Sequence, residues 1–171
     1  MNIFIARIIR AMKLDVRLYE EVEADKTALP QAMAVVAASS IAAGIGAGVK
    51  IGPEGMLLGA LAALVGWYIW AWLVYLIGTK LLPQPQTKSD IGELLRTIGF
   101  STAPGLIRVL GVIPGVGQFV FWACGIWMLV AMVIAVRQAL DYNSTWRAVG
   151  VCLVGWIIQA VLFTALLPHM K

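Results

Sequence analysis

The sequence predicts an all-α fold: a polytopic transmembrane helix bundle of five spans, preceded by an N-terminal amphipathic helix at the membrane interface. Composition is the first reason. Hydrophobic residues make up 61% of the 171 residues and charged residues 13%, with a mean hydropathy of +0.87, whereas soluble domains run at about 45–50% and about 25%. Length is the second, because the chain has room for four or five stretches of about 20 residues but none for a separate soluble domain. The third is that short connections such as KIGPEG and LLPQPQT separate the apolar runs. Residues 1–29 thus read as an amphipathic helix with an acidic linker, and residues 30–171 as one membrane domain.

The net charge of +4 does not point to nucleic acid, since the basic residues sit at the ends of apolar runs and build no dense stripe. Cys124 and Cys152 lie inside apolar runs, where cysteine behaves as a small hydrophobe. Neither a disulfide framework nor a zinc site is expected.

Residues 1–24 read as one amphipathic helix, because Arg7 and Arg10 interrupt the apolar residues before a signal-peptide core can form. At about 100° per residue, Phe4, Ile5, Ile8, Ile9, Met12, Val16 and Tyr19 share one side. Arg7, Arg10, Lys13 and Arg17 share the other, the pattern of a helix lying in the headgroup plane with its basic face toward anionic lipid. The competing reading is a helix packed on the spans or on a partner. Glu20, Glu21, Glu23 and Asp25 follow closely but lack the glycine turn and spaced ligands of a calcium loop. They read as a solvated helix end.

The first span, 30–49, opens at Pro30, a favourable first-turn residue. Its small residues pair as Ala42 with Gly46 and Gly44 with Gly48, giving a face for close helix packing. GIGAG within it follows no strand and is no dinucleotide loop. The second span, 56–82, carries Trp67, Trp70 and Trp72 near its middle, where indole N–H groups are expected to face other helices and polar groups. Pro83 and Pro85 end it.

The third segment, 91–111, starts with Asp90 as cap and Glu93 at N3, a capping box. Pro104 supplies no N–H to the Phe100 carbonyl and should kink or break the helix, with Ser101 and Thr102 beside the gap. Gly99 and Gly105 flank the break. Arg108 follows within about 6 Å of rise and has no acidic partner in any span, so its charge must reach headgroups, water or a bound anion. This segment either crosses fully or only dips into the membrane. Spans at 115–138 and 146–167 complete the set, the last with Asn143, Ser144 and Thr145 as capping candidates and Pro168 after it.

The positive-inside rule puts the N-terminus in the cytoplasm. It does not settle the span count: ten of the 13 basic residues fall on the inner side whether the third segment crosses or re-enters.

LLRTIGFSTAP (94–104), GVIPGVG, IWMLVAMVIAVRQAL (126–140) and TWRAVGV resemble bacterial members of the Yip (Ypt-interacting protein) family over roughly residues 30–165. The resemblance implies five spans with a cytoplasmic N-terminus, in the bacterial inner membrane. Eukaryotic relatives contact Rab-type GTPases through an aspartate-leucine-tyrosine-glycine-proline motif ahead of the spans. The nearest segment here is LDVRLYEEVEAD, so Rab-type GTPase binding is not carried over.

No enzyme is expected, because the one histidine is His169 and no carboxylate lies inside a span beyond Glu93 in the first turn of the third. No cofactor is expected either. The reading is a non-enzymatic membrane-organising, scaffolding or accessory subunit, with the bilayer and other membrane proteins as partners. The alternative is a small-solute or anion transporter or channel using the broken third helix. In either case Arg96, Gly99, Ser101, Thr102, Pro104 and Arg108 form the candidate functional segment.

Overall fold

The computed structural model describes residues 2–48 and 52–166, with side chains through Val161. The span ends placed at Val49 and Leu167, together with Lys50, Pro168, His169 and Lys171, lie outside the described residues. Seven α-helices run through those that are described: α1 (Ile3–Met12), α2 (Val16–Ala24), α3 (Leu29–Gly46), α4 (Pro53–Leu76), α5 (Ile91–Ser101), α6 (Gly117–Ala139) and α7 (Thr145–Leu166). A 3-10 turn at Lys26–Ala28 leads into α3, a π segment at Ile77–Leu81 ends α4, and a 3-10 segment at Ala103–Val112 follows α5. Among the described residues three helices are long and apolar enough to cross a membrane: Lys26–Gly46, Pro53–Leu81 and Gly117–Ala139. A further helix is apolar over Thr145–Val161.

The predicted N-terminal helix is two helices. Leu14 adopts φ +58° and Asp15 caps α2, its side chain accepting from the Arg17 N–H at 3.0 Å. The chain therefore folds back at residues 13–15 and lays α1 and α2 as a collar against α5, the 3-10 segment after it and α6, with Trp127 Nε1 donating to the Met12 carbonyl at 2.9 Å. This reverses part of the expected polarity. Arg7 is 4% exposed and faces inward, its Nε 2.9 Å from Glu21 Oε1, its Nη2 2.7 Å from Asp25 Oδ2 and its Nη1 3.0 Å from Gln31 Oε1. Arg10 pairs with Asp15 at 2.7 Å and with Glu21. Arg7 and Arg10 are thus neutralised within the chain, whereas Lys13 and Arg17 remain exposed. The outer edge of the collar is apolar instead, with Ile3, Ile5, Ile9 and Val16 exposed.

Glu21 and Asp25 are consequently ion-pair partners and no longer read as a solvated helix end. Hydrogen bonds from Thr27 and then Arg7 hold the Asp25 carboxyl at about 2. Burial opposes ionisation of Glu21, but hydrogen bonds from Arg10 and Arg7 outweigh it and keep that carboxyl below its usual value. Glu23 goes the other way. Burial, reinforced by Glu93 and Asp141 and opposed by Arg96, pushes it up to about 7.

α5 lies at the centre, every residue from Leu94 through Ser101 being buried. The capping box forms as expected: the Glu93 N–H donates to Asp90 Oδ1 and the Asp90 N–H to Glu93 Oε2, each at 2.9 Å. α2, α3, α4 and α6 all pack on α5. Trp67 is buried and its Nε1 donates to the Leu95 carbonyl at 3.2 Å. Trp70 stacks on Trp156 of α7, with ring centroids 6.3 Å apart. Trp72 departs from the expectation and faces outward, 48% exposed. Tyr142, between α6 and α7, reaches the end of α4, its hydroxyl 2.6 Å from the Leu82 carbonyl.

The third segment is not a continuous α-helix. The Thr102 N–H turns to the Gly99 carbonyl at 3.2 Å, a 3-10 bond that takes the α-helical donor from the Ile98 carbonyl. Ser101 Oγ donates to that carbonyl at 2.7 Å, and Thr102 Oγ1 donates to Gly99 O at 2.7 Å. The hydroxyls therefore repair the break two and one residues before the Phe100 carbonyl where the gap was expected. At about 1.5 Å per residue in α5 and about 2.0 Å in the 3-10 segment, 91–112 extends roughly 36 Å, more than a hydrocarbon core of about 30 Å.

Packing against α3 holds this long 3-10 segment. A side-chain carbon on Gly99 would meet the Ala32 Cβ, one on Gly105 would collide with Ser39 Oγ, and one on Gly111 would meet the Gly46 carbonyl. Glycines six apart make two turns of 3-10 helix, and Ala32, Ser39 and Gly46, seven apart, make about two turns of α-helix. The two small-residue rows therefore stay nearly in step. Of the packing residues expected from the sequence, Gly46 packs on the Arg108 carbonyl and Ala42 is buried, while Gly44 is half-buried. Gly48 stands past the helix end at φ +66° with open space around it.

Candidate functional site

The six residues of the expected functional segment do not form one site. Arg96 is 5% exposed and turns toward the collar, its Nε donating to the Val22 carbonyl at 2.8 Å and its Nη2 to the Glu23 carbonyl. These carbonyls belong to the last turn of α2, where orphaned acceptors and the helix dipole favour a cation. Arg96 is therefore a clamp. Gly99 serves the contact with α3, and Pro104 is buried at the break.

Ser101, Thr102 and Arg108 do come together. Thr102 and Arg108 line an open cleft of about 450 Å³ between α3, α4, α5, α6 and α7. All three line a smaller adjoining cleft of about 310 Å³ beside α6, which shares Met128, Met132 and Trp156 with the first. The Arg108 guanidinium carbon sits 5.7 Å from the centroid of the Phe121 ring, a cation–π approach. Among the described residues no carboxylate lies within ion-pair distance of it. Its Nε and the Trp70 Nε1 are buried donors without a hydrogen-bond partner. Thr102 and Ser40, by contrast, already donate to the carbonyls of Gly99 and Gly59, so their hydroxyl oxygens remain as acceptors.

Sequence reasoning identified Arg108 but missed Ser39, Trp70 and Gln159, which line the same cleft. Gln159 carried a usable signal, a single amide within the apolar run 146–167. Ser39 carried none, because only the seven-residue step from Ala32 to Gly46 places it opposite Gly105. Among the described residues no group of three or more histidine, cysteine or acidic side chains is placed to hold a metal ion. Cys124 and Cys152 are buried free thiols on α6 and α7.

A family model described as the Yip1 domain matches residues 17–167. No curated protein and no solved structure matches the chain.

Proposed function

The chain belongs to the Yip1 domain family, and from that premise we propose that it acts as a non-enzymatic membrane-organising, scaffolding or accessory subunit. In this reading five spans lie in a bacterial inner membrane with the N-terminus cytoplasmic, and the collar sits at the inner headgroups with Lys13 and Arg17 toward anionic lipid.

One observation carries the accessory role. On α4, Leu58, Leu61, Val65, Tyr68 and Trp72 are each 48–67% exposed. Their alternating spacing of three and four residues is the seam of knobs-into-holes packing. Leu57 and Ile69, also exposed, widen the same apolar face of α4. The seam therefore fits a transmembrane helix of another membrane protein.

Purification in mild detergent with quantitative mass spectrometry tests this. A stoichiometric membrane-protein partner, lost when Leu61 and Val65 are both changed to tryptophan while the bundle stays folded, supports the accessory role. A second reading, an anion or small-solute pathway, is favoured by the unpaired Arg108 in its cleft. Anion flux by the lone protein in liposomes, with no such partner, would replace the first reading by the second.

A further inference from the structure

We propose that the cleft around Arg108 binds a phosphate-type oxyanion carried on a lipid. The inference rests on the membrane placement of the bundle and is independent of the accessory role.

The argument begins with charge. A guanidinium at membrane depth is costly unless an anion, water or a polar wall receives it. The Phe121 face at 5.7 Å offsets only part of that cost and accepts no conventional hydrogen bond. The buried Arg108 Nε–H and Trp70 Nε1–H both lack an acceptor, and both residues line the cleft. A carboxylate could supply one, but α3 to α7 bring none within reach of Arg108 among the described residues. A planar fork of donors suits an oxyanion, and phosphate oxygens match its geometry. Ser40 and Thr102 can accept from a protonated phosphate or a glycerol hydroxyl, because their own protons are committed to Gly59 and Gly99.

The remaining wall specifies the rest of the molecule. Met128 and Met132 line both compartments, adaptable thioethers suited to flexible chains. At the edge, Leu129 is 44% and Trp156 38% exposed on faces that the bilayer covers. A free anion would gain nothing from this apolar rim, whereas an acyl chain can leave between α6 and α7 while its headgroup stays on Arg108.

The test uses the full chain in a neutral detergent and follows the fluorescence of its tryptophans, three of which, Trp67, Trp70 and Trp156, line the cleft. The three probes are dioctanoyl phosphatidic acid, dioctanoyl phosphatidylcholine and inorganic phosphate. Saturable binding of phosphatidic acid is expected, weakened at least about tenfold by Arg108→Gln, as loss of a charge-assisted contact implies. Trp70→Phe, which keeps a ring and removes the donor, should weaken binding about fivefold. It also provides an answer if Arg108→Gln fails to fold. Inorganic phosphate binding as tightly as the lipid would overturn the lipid assignment and leave a free oxyanion as occupant. Equal binding of phosphatidylcholine, no saturable binding, or binding unchanged in both variants would overturn the site. None of these results touches the test of the α4 seam.

Discussion

Arg96 Nε donates to the Val22 carbonyl at 2.8 Å, so the innermost helix of the bundle holds the last turn of a helix that lies outside it. The Glu23 carbonyl is held by the same guanidinium. Hydrogen bonds from a charged donor contribute about 1.5–3 kcal/mol each, and Arg96→Met leaves both acceptors unpaired. The expected outcome is a collar that opens more often, at a cost of about 3 kcal/mol. Trypsin cleavage at the exposed Lys26 should then accelerate on the order of a hundredfold while the membrane helices stay protected. Arg96→Lys should rescue only part of this, because an ammonium lacks the planar fork.

The row of close contacts between α3 and the third segment predicts sensitivity to a single methyl group. Gly105→Ala places a carbon on Ser39 Oγ, and Gly46→Ala places one on the Arg108 carbonyl. Each should cost about 1–3 kcal/mol, as overpacking does. Gly150→Ala, where nothing lies within reach, should be neutral or stabilising by about 0.5–1 kcal/mol. Thermal melts in detergent rank the three.

Stability of the collar should fall between pH 5 and pH 8. Glu23 is held at about 7 in the fold against an ordinary value of 4.5, so between those values the folded state binds a proton that the unfolded state has released. Stability drops as pH rises through that window and levels off above it. Proteolysis at Lys26 should therefore be slower at pH 5 than at pH 8, and Glu23→Gln should abolish the difference. Asp25 has the opposite sign. Its carboxyl is held at about 2 against an ordinary 3.8, so its contribution is complete above the higher value and is lost only as pH falls through about 2.

The third segment is long enough, at roughly 36 Å, to cross the hydrocarbon core despite its break. In the proposed five-span arrangement the C-terminus lies outside. A reporter active only outside the cytoplasm, fused after Lys171, should be active. Activity of a cytoplasm-only reporter at that point would instead support a segment that dips and returns.

Much of this arrangement was legible in the sequence, for separable reasons. The membrane bundle follows from apolar run length, the Asp90 cap from a local motif, and the break from the missing N–H of Pro104. Arg108 stood out because a charge in an apolar run is rare. The N-terminal fold-back was not legible, since helical periodicity places Arg7 on a basic face and nothing local reveals that Glu21 and Asp25 return to it. The roles of Arg96 and Arg108 were likewise alike on paper. One meets the carbonyls of α2 and the other a cleft, a difference created by long-range packing.

The central claim is that the exposed seam of α4 receives a helix of another membrane protein. A photo-crosslinking amino acid at Val65, which is 59% exposed, compared with the same residue at the fully buried Val74, tests it in intact membranes. The account predicts a discrete protein adduct from position 65 and none from position 74; adducts to lipid alone at position 65 would contradict it.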